Sequence, residues 1–328
     1  MLHAKAKKAL RIALPIALAV FFGWYTFSKL PIDQIIPYFK TANYSWIVLG
    51  MFMGLLSNLS RAYRWKYLIE PLGYSMRFPN GAMAVFIAYL ANFGIPRSGE
   101  VLRAAVLTNY ENVPFQKSFG TIIAERMADM VVLLSIVALT LLIQFDFIYA
   151  ILENTFQPKK LLLLGVVGLV FCFLIFLYIK KSQSKIALKV RNFVRGLLEG
   201  VLSIVRMKRK WAFIFHTLFI WVMYIMMFYV TSLALDEING VSVGALLIAF
   251  IAGSFTIAAT NGGIFVYPLA IGAAFSLFGI PEYPSIAFGW IIWSSQTLTI
   301  IVLGSLSFLF LPLYNNKAKA VNNNKPYS

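Results

Sequence analysis

Three charged residues stand close together in an apolar stretch of the chain, FGIPRSGEVLRAAVL. Arg97, Glu100 and Arg103 lie within seven residues, beside three residues that break helices: Gly94, Pro96 and Gly99. Arginine binds carboxylates and phosphates through paired, charge-assisted hydrogen bonds. This combination therefore predicts a site for a charged group at an interruption between two helices.

A second charged cluster, Glu125-Arg126-x-x-Asp129, lies in the stretch TIIAERMADMVVLL. Glu125 and Asp129 are four residues apart, and Arg126 and Asp129 are three apart, so these side chains are neighbours on a helix. The cluster starts roughly 10–15 Å into an apolar run, at 1.5 Å per helical residue. Together the two clusters predict either a polar cavity that receives a charged group or a static network of ion pairs.

The charges of the two clusters nearly balance. Glu100, Arg103, Glu125, Arg126 and Asp129 have a net charge of −1, and Arg97 brings the set to zero. Most of these charges are therefore expected to pair with one another, leaving Arg97 beside the predicted tip to bind a phosphate. Replacement of Arg126 is expected to lower the amount of folded protein, because two buried acids lose their partner.

The composition indicates an integral membrane protein. The 328 residues are 60% hydrophobic, and the mean hydropathy is +0.78. Basic residues lie between apolar runs, so the net charge of +17 indicates positive-inside topology and not nucleic-acid binding. The single Cys172 excludes an intrachain disulfide, and the isolated His3 and His216 predict no metal site. No cofactor is expected.

Apolar runs predict six full spans, and the basic residues assign the sides. Ten Lys or Arg in 180–210, together with the basic N-terminus, segment 61–78 and C-terminal tail, predict cytoplasmic segments and cytoplasmic termini. The loops predicted outside are 29–43, 145–160 and 236–241. The predicted spans are roughly 11–28, 44–62, 118–144, 160–180, 211–235 and 285–312.

Two ambiguous regions, 79–113 and 242–279, must each make an even number of crossings. A hairpin with its tip at Gly94, Pro96 and Gly99 suits the first region, because a lipid-exposed span with its charges is costly. A tip at Asn261, Gly262 and Gly263 suits the second, although two full spans also satisfy the parity.

The predicted fold is an all-α polytopic membrane protein with about six full spans and two broken or re-entrant hairpins. It is one domain of two inverted halves, 1–145 and 160–312, and such repeats predict a transport site near the midplane. Segment 181–210 predicts a basic amphipathic helix on the cytoplasmic surface, and 313–328 a polar cytoplasmic tail. Asn92, Asn261 and Tyr267 are further candidates for substrate binding.

Arg61 and Arg64 lie just before Trp65, at the end of the second span. Long basic side chains at this position commonly extend to the membrane interface and anchor the helix there, and this is the favoured interpretation. The alternative is that the two arginines bind a lipid phosphate at the mouth of the cavity.

The motifs P-x-R-x-G-E-x-x-R (from Pro96) and E-R-x-x-D (from Glu125) resemble those of the lysylphosphatidylglycerol synthase transmembrane family. This "flippase-like" domain is the membrane half of the multiple peptide resistance factor. The resemblance covers nearly the whole chain. It implies a bacterial cytoplasmic-membrane protein that moves a lipid between leaflets.

The second half departs from the family pattern. The family usually has P-G-G-x-G-x-x-E in its second hairpin and often an arginine in its last helix. In this chain Pro268 occupies the position of the acid, and residues 285–312 contain no arginine. The substrate of this chain is therefore not assumed to be that of the family. The chain continues for sixteen residues after Pro312 without the soluble aminoacyl-transferase domain, so no synthesis of lysyl-lipid is expected.

The resulting hypothesis is a non-enzymatic lipid flippase for a polar, anionic or zwitterionic lipid. A secondary transporter of a small charged solute is the alternative, and a membrane-embedded transferase is the weakest candidate. The expected partners are membrane lipids, with a homo-oligomer or a separate lipid-synthesising enzyme as further partners, and no nucleic acid.

Overall fold

The computed structural model describes residues 32–95, 97–155, 158–184, 187–188, 191, 207–260 and 262–323. Regular structure within these residues is helical, with no strand. The predicted span 11–28 and most of the predicted basic helix 181–210 lie outside the described residues. The helices are α1 Ile32–Thr41, α2 Tyr44–Ile69, α3 Phe78–Gly94, α4 Ser98–Glu111, α5 Phe115–Ile143, α6 Phe145–Thr155, α7 Pro158–Lys181, α8 Lys210–Ser232, α9 Val243–Ala259, α10 Val266–Ser276 and α11 Glu282–Asn323.

Helices α5 and α8, and residues 282–316 of α11, are long and apolar enough to cross a membrane. Their outward faces carry large exposed apolar side chains, among them Leu142, Phe215 and Leu309. A soluble monomer rarely exposes apolar surface of this extent, whereas lipid covers it without cost. The structure therefore agrees with a multi-pass membrane protein.

The first hairpin, α3 and α4, folds back sharply at its tip. A Cβ atom at Gly99 would overlap the backbone carbonyl of Ala88, so only glycine allows this close approach. The amide carbonyl of Asn92 accepts a hydrogen bond from the Gly99 backbone N–H at 2.8 Å, which satisfies a donor in the first turn of α4. The break lies where the sequence predicted it.

The second hairpin, α9 and α10, has a tip without charged side chains in its described residues. Gly262 and Gly263 have φ values of 73° and 74°, which suit glycine. The α10 helix contains 11 residues, and at 1.5 Å per residue its length of about 16 Å is too short for a bilayer core of about 30 Å. Helices α9 and α10 are shorter apolar helices than the three candidate spans.

A polar network closes the base of the first hairpin. The Arg77 side chain donates to Glu111 at 3.0 Å and to Asn315 at 2.7 Å, and thereby links α4 to the end of α11. Asn80, on α3, donates to Asn315 at 3.0 Å, and Asn315 donates back to Asn80 at 2.9 Å. The first hairpin is therefore tied to the last helix of the chain.

Small residues allow the two halves to pack closely. A Cβ atom at Gly50 of α2 would overlap Thr231 of α8, and one at Gly54 would overlap Gln296 of α11. On the other side of α11, a Cβ atom at Gly304 would lie 2.9 Å from the Phe86 carbonyl of α3. Close backbone approach of this kind is the usual way in which helices associate within lipid.

Three elements differ from the sequence prediction. Segments 29–43 and 145–160 were expected to be loops, but they contain α1 and α6. In α6, Phe147 stacks on Phe278 at 4.2 Å, so an apolar face has a partner that the local sequence does not reveal. Helix α11 continues to Asn323, into the predicted polar tail, because neither Pro312 nor the polar residues after it end the helix.

Candidate functional site

The centre of the charged site is Glu125, which is fully buried on α5. Arg103 of α4 donates two parallel hydrogen bonds to its carboxylate, at 3.0 Å to Oε1 and 2.9 Å to Oε2. The guanidinium carbon of Arg103 lies 3.9 Å from the centre of the Trp65 ring on α2, a cation–π contact. The first hairpin thus contacts α5, where the sequence predicted a contact, and also α2, which the sequence did not predict.

Two further arginines, both on α2, complete the ion-pair cluster. Arg61 lies 2.9 Å from Glu125 and 2.5 Å from Asp129. Arg64 lies 2.8 Å from the other oxygen of Asp129 and also donates to Thr217 of α8 at 2.9 Å. Arg61 and Arg64 are three residues apart and therefore share one face of α2.

This position corrects the interpretation of Arg61 and Arg64 as interfacial anchors. Arg61 is 3% exposed and Arg64 is fully buried, so neither side chain extends to an interface. The sequence signal was weak: Glu100, Arg103, Glu125, Arg126 and Asp129 have a net charge of −1, which leaves a need for a further cation but does not identify it.

The buried cluster has an excess of positive charge. Three arginines (61, 64 and 103) meet two acids (125 and 129), which gives a net charge of +1. Removing a charge from water is expensive, and the cost is recovered only where charges are paired. An anion near this cluster would therefore be stabilised.

A small recess lies against the cluster, between the first hairpin and α5. In this conformation it has room for about one water molecule. One buried carboxylate oxygen of Glu100, Oε2, has no hydrogen-bond partner within the described residues. The lining residues are Val85, Ala88, Tyr89, Asn92, Glu100, Arg103 and Arg126.

Arg126 does not have the structural role expected for it. Its side chain is 42% exposed, and its closest approach to Glu125 is 3.9 Å, whereas three other arginines hold the two acids. The sequence prediction that Arg126 is the partner of two buried acids is therefore wrong. Arg126 is instead a cation at the edge of the recess.

Arg97 lies at the tip of the first hairpin, outside the recess. It is exposed, and within the described part of the chain it makes no ion pair. Its backbone is left-handed, with φ at 61°, a conformation uncommon for a residue other than glycine. Gly94 is close by with no atom near its missing Cβ, and Pro96 lies outside the described residues.

The second hairpin contributes no charge to the recess. Asn261 lies outside the described residues, so its proposed contact with substrate stays a prediction. Tyr267 is buried among apolar residues, with its ring against Gly253. It does not line the recess, and its assignment to substrate binding stays a prediction.

The tips of the two hairpins meet. A Cβ atom at Gly262 would lie 3.3 Å from the ring of Phe93, which belongs to the first hairpin. The Gly262 carbonyl accepts a hydrogen bond from the indole N–H of Trp293 on α11 at 2.8 Å. The second hairpin therefore supplies an apolar, aromatic surface next to the tip of the charged hairpin.

The comparisons with known proteins agree with the motifs. The model of the lysylphosphatidylglycerol synthase TM region matches residues 12–305. The UPF0104 membrane protein of Methanocaldococcus jannaschii is 24% identical over 288 residues, which cover 78% of this chain and 81% of that protein. No solved structure matches the chain. Because the family model spans most of its length, the chain belongs to the lysylphosphatidylglycerol synthase TM-region family.

Proposed function

We propose that this protein is a lipid flippase, without enzymatic activity, in the bacterial cytoplasmic membrane. It binds the polar headgroup of a lipid in the recess beside Glu125 and moves it between leaflets. The excess positive charge of the buried cluster attracts a phosphate. In this conformation the recess is too small for a headgroup, so transport requires the first hairpin to separate from α5.

The observation that carries the proposal is the surroundings of Arg126. Ile123, Arg126 and Met130 lie at i, i+3 and i+7 on α5, so they share one helix face. Their exposures are similar, with 44% for Ile123, 42% for the Arg126 side chain and 39% for Met130. A phosphate at Arg126 would therefore continue into acyl chains along the apolar residues. A water-soluble solute would not need a cation on this apolar face of the helix.

The direct test is lipid movement in proteoliposomes. We expect Arg126→Ala to abolish movement of a fluorescent anionic phospholipid while the melting temperature stays close to that of the unchanged protein, since the acids keep their other arginines. Arg97→Gly is expected to reduce movement less. Lys117→Ala is the control, because Lys117 is an exposed cation elsewhere on α5.

Two outcomes would reject the proposal. Normal lipid movement by Arg126→Ala would show that this arginine does not bind the headgroup. An absence of lipid movement by the unchanged protein, together with uptake of a soluble anion, would favour the solute transporter.

We also propose the predicted topology, with six full spans, two re-entrant hairpins and both termini in the cytoplasm. Cysteines introduced at Glu153, in α6, and at Lys319, near the end of α11, test it in intact cells. An impermeant thiol reagent should label position 153 and not position 319. Labelling of position 319 would contradict the assigned sides.

A further inference from the structure

We infer that the recess selects a lipid headgroup with one phosphodiester and uncharged hydroxyl groups, such as a glycerol or sugar phosphate, over a headgroup that carries an amine. This inference rests on the proposed function and adds the substrate class. The family is named after lysylphosphatidylglycerol, a lipid whose headgroup carries a cationic lysyl group. The headgroup inferred for this chain differs from that lipid.

The first argument is charge. The buried cluster, which includes Arg103, has a net charge of +1, and the two other charged side chains at the recess, Arg126 and Glu100, cancel each other. A headgroup with a net charge of −1 brings the whole site to zero. A zwitterionic headgroup leaves +1, and a lysyl headgroup, with its two amines, brings it to +2. Uncompensated like charge in a site of low dielectric is costly.

The second argument is Glu100. Its buried Oε2 has no donor among the described residues, although Arg103 and Arg126 line the same recess. A buried acceptor without a donor is destabilising, so a ligand that donates to it gains affinity. A phosphate cannot donate this hydrogen bond at neutral pH, whereas a hydroxyl beside the phosphate can. Phosphate near the arginines and hydroxyl near Glu100 together describe a glycerol-phosphate or sugar-phosphate headgroup.

An amine could also donate to Glu100, and one substitution distinguishes the two donors. In Glu100→Gln the amide oxygen still accepts from a hydroxyl, but the negative charge that would attract an amine is absent. The substitution also makes the site more positive, which favours an anionic ligand. The control is Glu282→Gln, which changes the net charge equally at an exposed position at the start of α11.

The experiment measures binding of short-chain phosphatidylglycerol, phosphatidylethanolamine and lysylphosphatidylglycerol to the purified full chain in detergent. We expect phosphatidylglycerol to bind at least about tenfold more tightly than either of the others. Glu100→Gln should bind phosphatidylglycerol as tightly as the unchanged protein or more so. Glu100→Ala, which removes the acceptor, should bind it several-fold more weakly.

Two results would overturn the inference while leaving a lipid function in place. One is equal or tighter binding of an amine-containing lipid by the unchanged protein. The other is a loss of about tenfold in phosphatidylglycerol affinity in Glu100→Gln but not in Glu282→Gln. The same binding experiment includes soluble glycerol 3-phosphate. Binding of this compound without binding of any lipid would reject the proposed function itself.

Discussion

The two broken hairpins have the same construction but differ in the charge of their side chains. In the first, the helix after the break, α4, carries Glu100 and Arg103, and α5 supplies Glu125, which pairs with the arginine. In the second, the described residues around the break carry no charge. Hydrogen bonds at the tip run from the Gly263 N–H to the Thr260 hydroxyl and from Trp293 to the Gly262 carbonyl. The break recurs, but the charged site belongs to one half.

This difference teaches that the break and the binding site are separable. A broken hairpin leaves backbone groups without helical partners at membrane depth, and each hairpin satisfies them by its own means. The first uses the Asn92 side chain, and the second uses the side chains of Thr260 and Trp293. Charges are therefore not required for the break, and Arg103 of the first hairpin instead pairs with Glu125 of α5.

Glu125→Gln is expected to have the largest effect and is the strongest test of the difference between the two halves. The substitution leaves three buried arginines with one acid, and loss of one partner in a buried ion-pair network costs about 3–5 kcal/mol. We expect a large fall in folded yield and in melting temperature in detergent. Tyr267→Phe is the matched change in the second half, and it should be nearly neutral. Equal destabilisation by the two changes would show that the halves do not differ.

A smaller effect is expected at the first tip. Gly99→Ala forces a methyl group against the Ala88 carbonyl and should cost about 1–3 kcal/mol, as overpacking does. Gly94→Ala, five residues earlier, meets open space and should be neutral or slightly stabilising. Thermal unfolding of both variants tests this, and a neutral Gly99→Ala would mean that α3 and α4 do not approach as closely as described.

The smallest effect is expected at the second tip. Trp293→Phe keeps an aromatic ring and removes the hydrogen bond to Gly262, so it should cost about 1 kcal/mol. Lipid movement should change little, because the second hairpin carries none of the charges of the recess. A complete loss of lipid movement with normal stability would show that part of the binding site lies in the second half.

The sequence was sufficient for the long apolar helices and the two breaks, because apolar runs, glycines and prolines determine them locally. It was not sufficient for α1 and α6, which were expected to be loops. It was also sufficient for the pairing of Arg103 with the Glu125 cluster. It was not sufficient for Arg61 and Arg64, whose burial depends on which face of α2 turns toward α5. The same holds for Arg126, since the partners of an ion pair are chosen by tertiary packing and not by spacing along one helix.

The burial of Arg61 and Arg64 also has a consequence for biosynthesis. Both arginines lie on α2, which is not among the described helices apolar enough to be recognised as a span, and their acidic partners are synthesised about 60 residues later. An unpaired arginine costs about 2.5–3.5 kcal/mol at the centre of an inserting helix. Stable insertion of α2 is therefore expected to wait for α5. In ribosome-stalled chains that end before Glu125, a cysteine introduced in α2 should react with a water-soluble thiol reagent.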